Sequence, residues 1–326
     1  LRCRHRRFVR HRRGARTQSR CARGAQLAAG CETRFAVGGA CSAARAGARI
    51  GGGDARFNGI SVHSNHTLFD VSGDGTLSVE NSTLRGNVGT ISGWSIEFSN
   101  TVIPAETSGF VLLDVEAQFN LVEVVRDFSS SDTTSVGLQA VWSNIVMDNM
   151  TMTGWNEGIV CESECSLTGD VVSSGGGGRT SGSGITIDGG SVRIETLETS
   201  ASDVGINVID GSIHVENWTV DMAHRSYGIQ LANDANAIVR EMPEYTSSGA
   251  HDGFGDGTLL WGSSGNPDLA VSLEEQFTES NIQITDLVGN PIVDAIANAH
   301  GFSEISDSSG EVILPLLASG SFVEIE

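Results

Sequence analysis

A glycine followed by an aliphatic residue recurs five times through the middle of the chain, each time opening a short alternating run. The runs are Gly137-Leu138-Gln139-Ala140, Gly158-Ile159-Val160-Cys161, Gly184-Ile185-Thr186-Ile187, Gly205-Ile206-Asn207-Val208 and Gly228-Ile229-Gln230-Leu231, separated by steps of 21, 26, 21 and 23 residues. A unit this short, with no helical pattern inside it, cannot bury its own apolar face. It must stack on copies of itself.

A second strand follows each glycine-led run. Leu77–Leu84, Ile145–Met152 and Ile213–Val220 align with asparagine at Asn81, Asn149 and Asn217, and Val192–Thr199 aligns with Thr196 in that place. Period-2 alternation sends Ile213 and Val215 to one face and His214 and Glu216 to the other. After the asparagine the phase resets, so that Trp218 and Val220 face inward again. A corner at asparagine accounts for the reset, because asparagine tolerates the left-handed backbone.

Two strands and a corner every 21 to 26 residues resemble the right-handed parallel β-helix of pectate-lyase-like proteins. Turns there stack about 4.8 Å apart, the ordinary interstrand spacing. The resemblance covers about residues 57–245 and implies an all-β chain. Its inward ladders are Leu138, Ile159, Ile185, Ile206, Ile229 and Ala140, Cys161, Ile187, Val208, Leu231. Right-handed crossover is the expected hand for parallel strands. Gly175–Gly178, flanked by serine and threonine, accounts for the longest step as a protruding loop. The resemblance speaks for fold and leaves activity open, since the fold hosts lyases, hydrolases, epimerases and non-enzymes.

Charge divides the chain unevenly. Residues 1–56 hold 14 of the 20 basic residues, all arginine, whereas residues 57–326 carry 38 of the 40 acids, and there is no lysine. The first segment is expected to be a disordered Arg/Ala/Gly-rich leader, too poor in apolar surface to offset the entropy of ordering. A basic arm for nucleic acid or membrane is the other reading. The acidic body should repel nucleic acid and anionic membrane. No apolar run is long enough to span a bilayer, and no apolar stretch follows the basic start as in a signal peptide.

Residues 246–280, rich in Gly, Ser and Asp, read as a linker or cap. From residue 281 the pattern changes. Asp286, Gly289, Pro291, Ala295, Asp307 and Gly310 fill the marks of the carboxypeptidase regulatory-like β-sandwich, which residues 281–326 resemble over about half of such a domain. The expected fold class is therefore a right-handed parallel β-helix followed by a partial β-sandwich.

Chemistry is best sought where the register stacks polar residues. Gly190-Ser191-Val192 and Gly211-Ser212-Ile213 place Arg193 beside His214 and Glu195 beside Glu216 on one outward face. Two adjacent carboxylates with a cation and an imidazole can bind a charged sugar, hold a cation such as calcium, or do acid–base work. Equally, outward ladder positions are polar in any β-helix, and Arg193 and His214 then only offset like charges. These four are the candidate ligand-binding residues; no catalytic residue, resident metal or cofactor is assigned.

Polysaccharide lyases on this fold generally use clustered Asp for calcium and an Arg or Lys as base; here there is no lysine and the six arginines after residue 56 are scattered, and the Asn-Thr-Asp, Asp-Asp and Gly-His-Gly motifs of polygalacturonase-like hydrolases are absent. His224-Arg225 after Asp221 is a weaker convergence of acid, base and cation. Asp252–Gly257 resembles the start of a calcium loop, but Phe254 stands where an oxygen ligand should, so a solvated turn is expected. Asn65, Asn81, Asn149 and Asn217 satisfy the N-glycosylation pattern, three of them as corner residues.

Four of the six cysteines lie in the leader without metal-ligand spacing. Cys161 and Cys165 flank a short acidic bend. A small disulfide closing that bend is the expectation, with two separate thiols as the alternative; a bridge implies an oxidising compartment. The functional expectation is a secreted or cell-surface, non-catalytic stalk, adhesion or glycan-contacting module. Its alternative is a polysaccharide lyase or glycoside hydrolase working in an outward groove.

Overall fold

Short alternating strands that share a period satisfy their backbone groups by pairing with the next copy of themselves, and this happens throughout the chain. The computed structural model describes residues 26–28, 33–36, 40–43, 48–126, 134–175, 182–200, 202–232, 234–243, 246–249, 251–262 and 267–326, with backbone alone for 26–43, 49, 65 and 66. They form a parallel β-solenoid of about nine turns, with no helix among them. Leu138, Ile159, Ile185, Ile206 and Ile229 stack in register and are fully buried, as are Ala140, Cys161, Ile187 and Val208 in the ladder beside them.

The leading glycines serve close approach. A Cβ built on Gly137, Gly158, Gly184 or Gly205 would stand 2.6, 2.5, 2.8 or 2.7 Å from the carbonyl oxygen of the glycine one turn on. No side chain fits between two turns whose backbones touch there.

Each turn has three runs, and two of its corners recur at fixed positions, where one corner was expected. The first corner follows the glycine-led strand and holds a left-handed residue in turn after turn: Gly93, Asp114, Trp142, Ser163, Gly189 and Gly211. The second is the asparagine corner. Asn149 pairs with Val171, Val171 with Thr196 and Thr196 with Asn217, so the aligned positions are equivalent. Asn81 and Asn100 are left-handed there, and an amide ladder links Asn58, Asn81 and Asn100 at 3.4 and 2.7 Å.

Asn149 and Asn217 are not left-handed, which corrects the conformational reason given for the corner. In their turns two consecutive outward residues, such as Asp148 and Asn149, reset the phase instead. The register itself is as read: Trp218 is 2 % exposed and His214 is only half-buried. The side chain of Asn65 lies outside the described residues, as does most of the Gly175–Gly178 loop.

Two boundaries differ from expectation. Strands Gln26–Ala28, Thr33–Ala36 and Ala40–Ala43 of the arginine-rich segment pair in parallel with the strands one turn on. Backbone pairing there needs no apolar side chains, which is why composition concealed it; Ala48–Gly51 and Gly53–Asn58 continue the same ladders, and the rest of that leader lies outside the described residues. At the other end, His251–Trp261 and Leu269–Gln283 continue the parallel ladder through the supposed linker. Gly253 and Gly255 occupy the rungs of Ile229 and Leu231. The apolar signal disappears there although the ladder does not.

Leu269–Gln283 then pairs antiparallel with Glu311–Leu317, and Ile296–Ala299 pairs antiparallel with Phe302–Ile305 and Glu324–Ile325. These small sheets enclose a separate core of Ile284, Ala295, Ala297, Ala299, Val312 and Leu314. The final residues thus form an antiparallel β unit built onto the last solenoid strand.

Candidate functional site

Alternation along the second run of each turn points every other side chain outward, and stacking turns these into rows. One row reads Gln118, Val146, Thr168, Arg193, His214. The next, fixed by the pairings on either side of each position, reads Asp148, Asp170, Glu195, Glu216 and then Arg240. A groove of about 860 Å³ runs along these rows from Gln118 and is closed by Ser303 and Glu304 of the C-terminal unit.

Arg193 and His214 are in register as expected, and Glu195 lies beside Glu216. The four do not act as one cluster. Arg193 and Glu195 are exposed in the groove. Glu195 engages Asp170 one turn back; a hydrogen bond between the two carboxyls, and then their like charge, raise the pKa of Glu195 above its ordinary value.

His214 and Glu216 are half-buried beneath the C-terminal unit. The ring of Phe302 packs edge-on against His214 at 4.4 Å. A Cβ on Gly301 would come within 2.9 Å of the imidazole. Burial, with Arg193 adding to it, pushes the His214 pKa down to about 4, and its buried Nε2 has no hydrogen-bond partner. The imidazole is therefore neutral near pH 7, and the expectation that it offsets nearby carboxylate charge does not hold. Glu216 points outward as expected but does not face water alone: it meets Arg240 at 3.5 Å. Its pKa is raised by burial, against the opposing pull of Arg240.

Arg240 was missed, although the period that stacks Glu195 on Glu216 also stacks Glu216 on Arg240. Asp148 and Asp170 follow from the same period. Arg240 reaches Glu279 at 3.2 Å, and it also pairs with Glu304. Its guanidinium lies 5.5 Å from the centre of the Phe302 ring. Only tertiary structure brings Glu279 and Glu304 to it. Arg240→Met should loosen the C-terminal unit by about 1–2 kcal/mol, since three carboxylates would be left together but two of them keep access to water. Faster hydrogen exchange in Ile296–Ala299 and Phe302–Ile305, with the solenoid core unchanged, is the expected result; uniform protection would refute it.

His224, Arg225 and Asp221 do not converge. His224 is fully buried, with Nε2 2.8 Å from Thr199 Oγ1, which also accepts from Trp218 Nε1 at 2.9 Å. Asp221 and Arg225 are exposed. The third-run positions that turn inward thus bury a polar chain that the spacing of Asp221, His224 and Arg225 could not reveal.

Asp252 is likewise internal. Its carboxylate accepts from the backbone N–H groups of Thr246, Ser247 and Asp268 and from the Thr246 hydroxyl at 2.8–3.0 Å, holding a solenoid turn. Cys161 and Cys165 are joined as a disulfide with their Cα atoms 5.4 Å apart, closing a bend in which Ser163 and Glu164 are left-handed. Among the described residues no group of three or more His, Cys, Asp or Glu side chains is placed to hold a metal ion.

Chemically, the groove offers hydrogen-bond acceptors at each turn, one exposed cation at Arg193, and the adjacent carboxyls of Asp170 and Glu195. No family model, curated protein or solved structure matches this chain.

Proposed function

We propose that this chain is a non-catalytic, secreted or cell-surface module whose solenoid contacts a glycan along the groove. The observation that carries the reading is the groove itself: polar side chains recur at each rung from Gln118 to Glu216, and the C-terminal unit stops it at one end. A linear polysaccharide presents hydroxyls at a repeat close to the rung spacing. The resemblance of the repeat to pectate-lyase-like proteins, and of the last residues to the carboxypeptidase regulatory-like sandwich, supports an extracellular setting. The Cys161–Cys165 disulfide suits an oxidising compartment. An excess of acids over bases disfavours nucleic acid as the ligand.

One observation favours a second reading, a polysaccharide lyase or glycoside hydrolase. Asp170 and Glu195 stand on adjacent rungs of the groove, and the pKa of Glu195, raised by Asp170, is the property of a general acid. Incubating the protein with acidic and neutral polysaccharides, with and without calcium, separates the two. Binding without new reducing or unsaturated ends is the expected outcome. Appearance of such ends, abolished by Glu195→Gln, would establish the enzyme instead.

A further inference from the structure

Two side chains at the corners of groove-lining strands are held in conformations their chemistry does not favour. Left-handed backbone is costly for residues with a Cβ, least so for short polar ones. The two large apolar residues that adopt it here are Leu121, with φ 54°, and Trp142, with φ 49°. Trp142 sits at the first corner, where other turns use Gly93, Gly189 and Gly211; Leu121 sits at the second, where earlier turns use Gly59, Asn81 and Asn100. Burial does not compensate the cost, because Trp142 is 61 % and Leu121 56 % exposed.

The two flank one stretch of the outward face. Trp142 precedes strand Asn144–Thr153, and Leu121 stacks on Asn149 of that strand, as the neighbouring pair Val122 and Met150 shows. Between them Val146 points outward, 44 % exposed, and lines the groove. Strained, exposed apolar side chains around a groove point to a ligand rather than to packing.

We propose that Trp142 is an apolar shelf beside the groove that takes the C–H face of a non-anionic pyranose residue of the bound glycan. An indole supplies a flat apolar surface for such a ring while its N–H stays free to bond a hydroxyl. Charge selects the sugar. Glu116, Asp148 and Asp170 are exposed on these turns, and the outward row offers no cation before Arg193. Carboxylates there repel a uronic acid and accept from hydroxyl or ammonium groups. This inference rests on the groove being a glycan surface.

The experiment uses the full chain, with tryptophan fluorescence as the readout. Trp94, Trp155, Trp218 and Trp261 are buried, so acrylamide quenching reports on Trp142. Wild type and Trp142→Gly are titrated with cello-oligosaccharide, chitosan oligomer and oligogalacturonate, and binding is also followed by calorimetry. Wild type should bind a neutral or cationic oligomer, with Trp142 protected from quencher. Trp142→Gly should bind it at least about tenfold more weakly, with an equal or higher Tm because the backbone strain is relieved.

Equal binding by the variant would overturn the shelf and leave the groove reading standing. A lowered Tm in the variant would assign Trp142 to packing and overturn the shelf too. Preference for oligogalacturonate would overturn the non-anionic assignment, and binding of no oligomer would remove both shelf and groove.

Discussion

Gly205→Ala is expected to destabilise the protein by about 3 kcal/mol, at the upper end of the usual range for overpacking. The added methyl would lie 2.7 Å from the Gly228 carbonyl oxygen and 2.7 Å from His224 Nε2. Neither neighbour can swing aside: one is backbone in the ladder, and the other is buried against Thr199. Relief must come from separating two turns, which costs their pairing and their interior contacts together.

Gly289→Ala is the control. Its Cβ would meet nothing within 4 Å, although φ is +89°. Only conformational strain applies, at about 1 kcal/mol. Denaturant unfolding of both variants against wild type checks the pair. Equal losses would show that glycine in the repeat serves backbone conformation and not the contact between turns.

Acid should weaken the fold through His224. Burial, opposed in part by the Ser202 backbone, lowers its pKa from the ordinary 6.5 to about 4. Between those values the unfolded chain binds a proton that the folded one refuses, so stability falls as pH drops from 6.5 towards 4 and is fully present above 6.5. For this fully buried ring the loss amounts to about 3 kcal/mol. His214 contributes in the same direction and by less, being only half-buried.

Raised carboxyls act the other way. Glu157 and Glu216 are raised chiefly by burial, and Glu195 by Asp170. Each binds protons more readily in the folded state and adds stability on acidification. The wild-type curve alone is therefore ambiguous, and the comparison needed is with His224→Gln, which keeps an acceptor for Thr199 and does not titrate. Between about pH 7 and pH 4 the wild type should lose roughly 3 kcal/mol more than the variant. Parallel curves would mean that the folded protein accommodates the imidazolium.

Much of the solenoid was legible because a repeat must present the same faces each time. The Gly-Ile runs carried the inward ladders, and the asparagine alignment carried the register, down to Trp218 inside. Where the interior turned to glycine, at Gly253 and Gly255, apolar periodicity ended and two further solenoid strands were read as linker. The first corner escaped notice because Gly, Asp, Trp and Ser all serve there; what they share is a backbone angle, which leaves no single residue type to align.

The candidate site divides along the same line. Sequence alone determined which outward residues stack, since period-2 alternation and a fixed repeat place Arg193 beside His214 and Glu195 beside Glu216 whatever surrounds them. Tertiary structure decided what those residues do. The C-terminal unit folds back so that Phe302 covers His214, while Glu279 and Glu304 reach Arg240, and half of the row leaves water. Local pattern determines direction from the backbone, but burial and charge partners depend on segments distant in the chain, whose approach no period encodes.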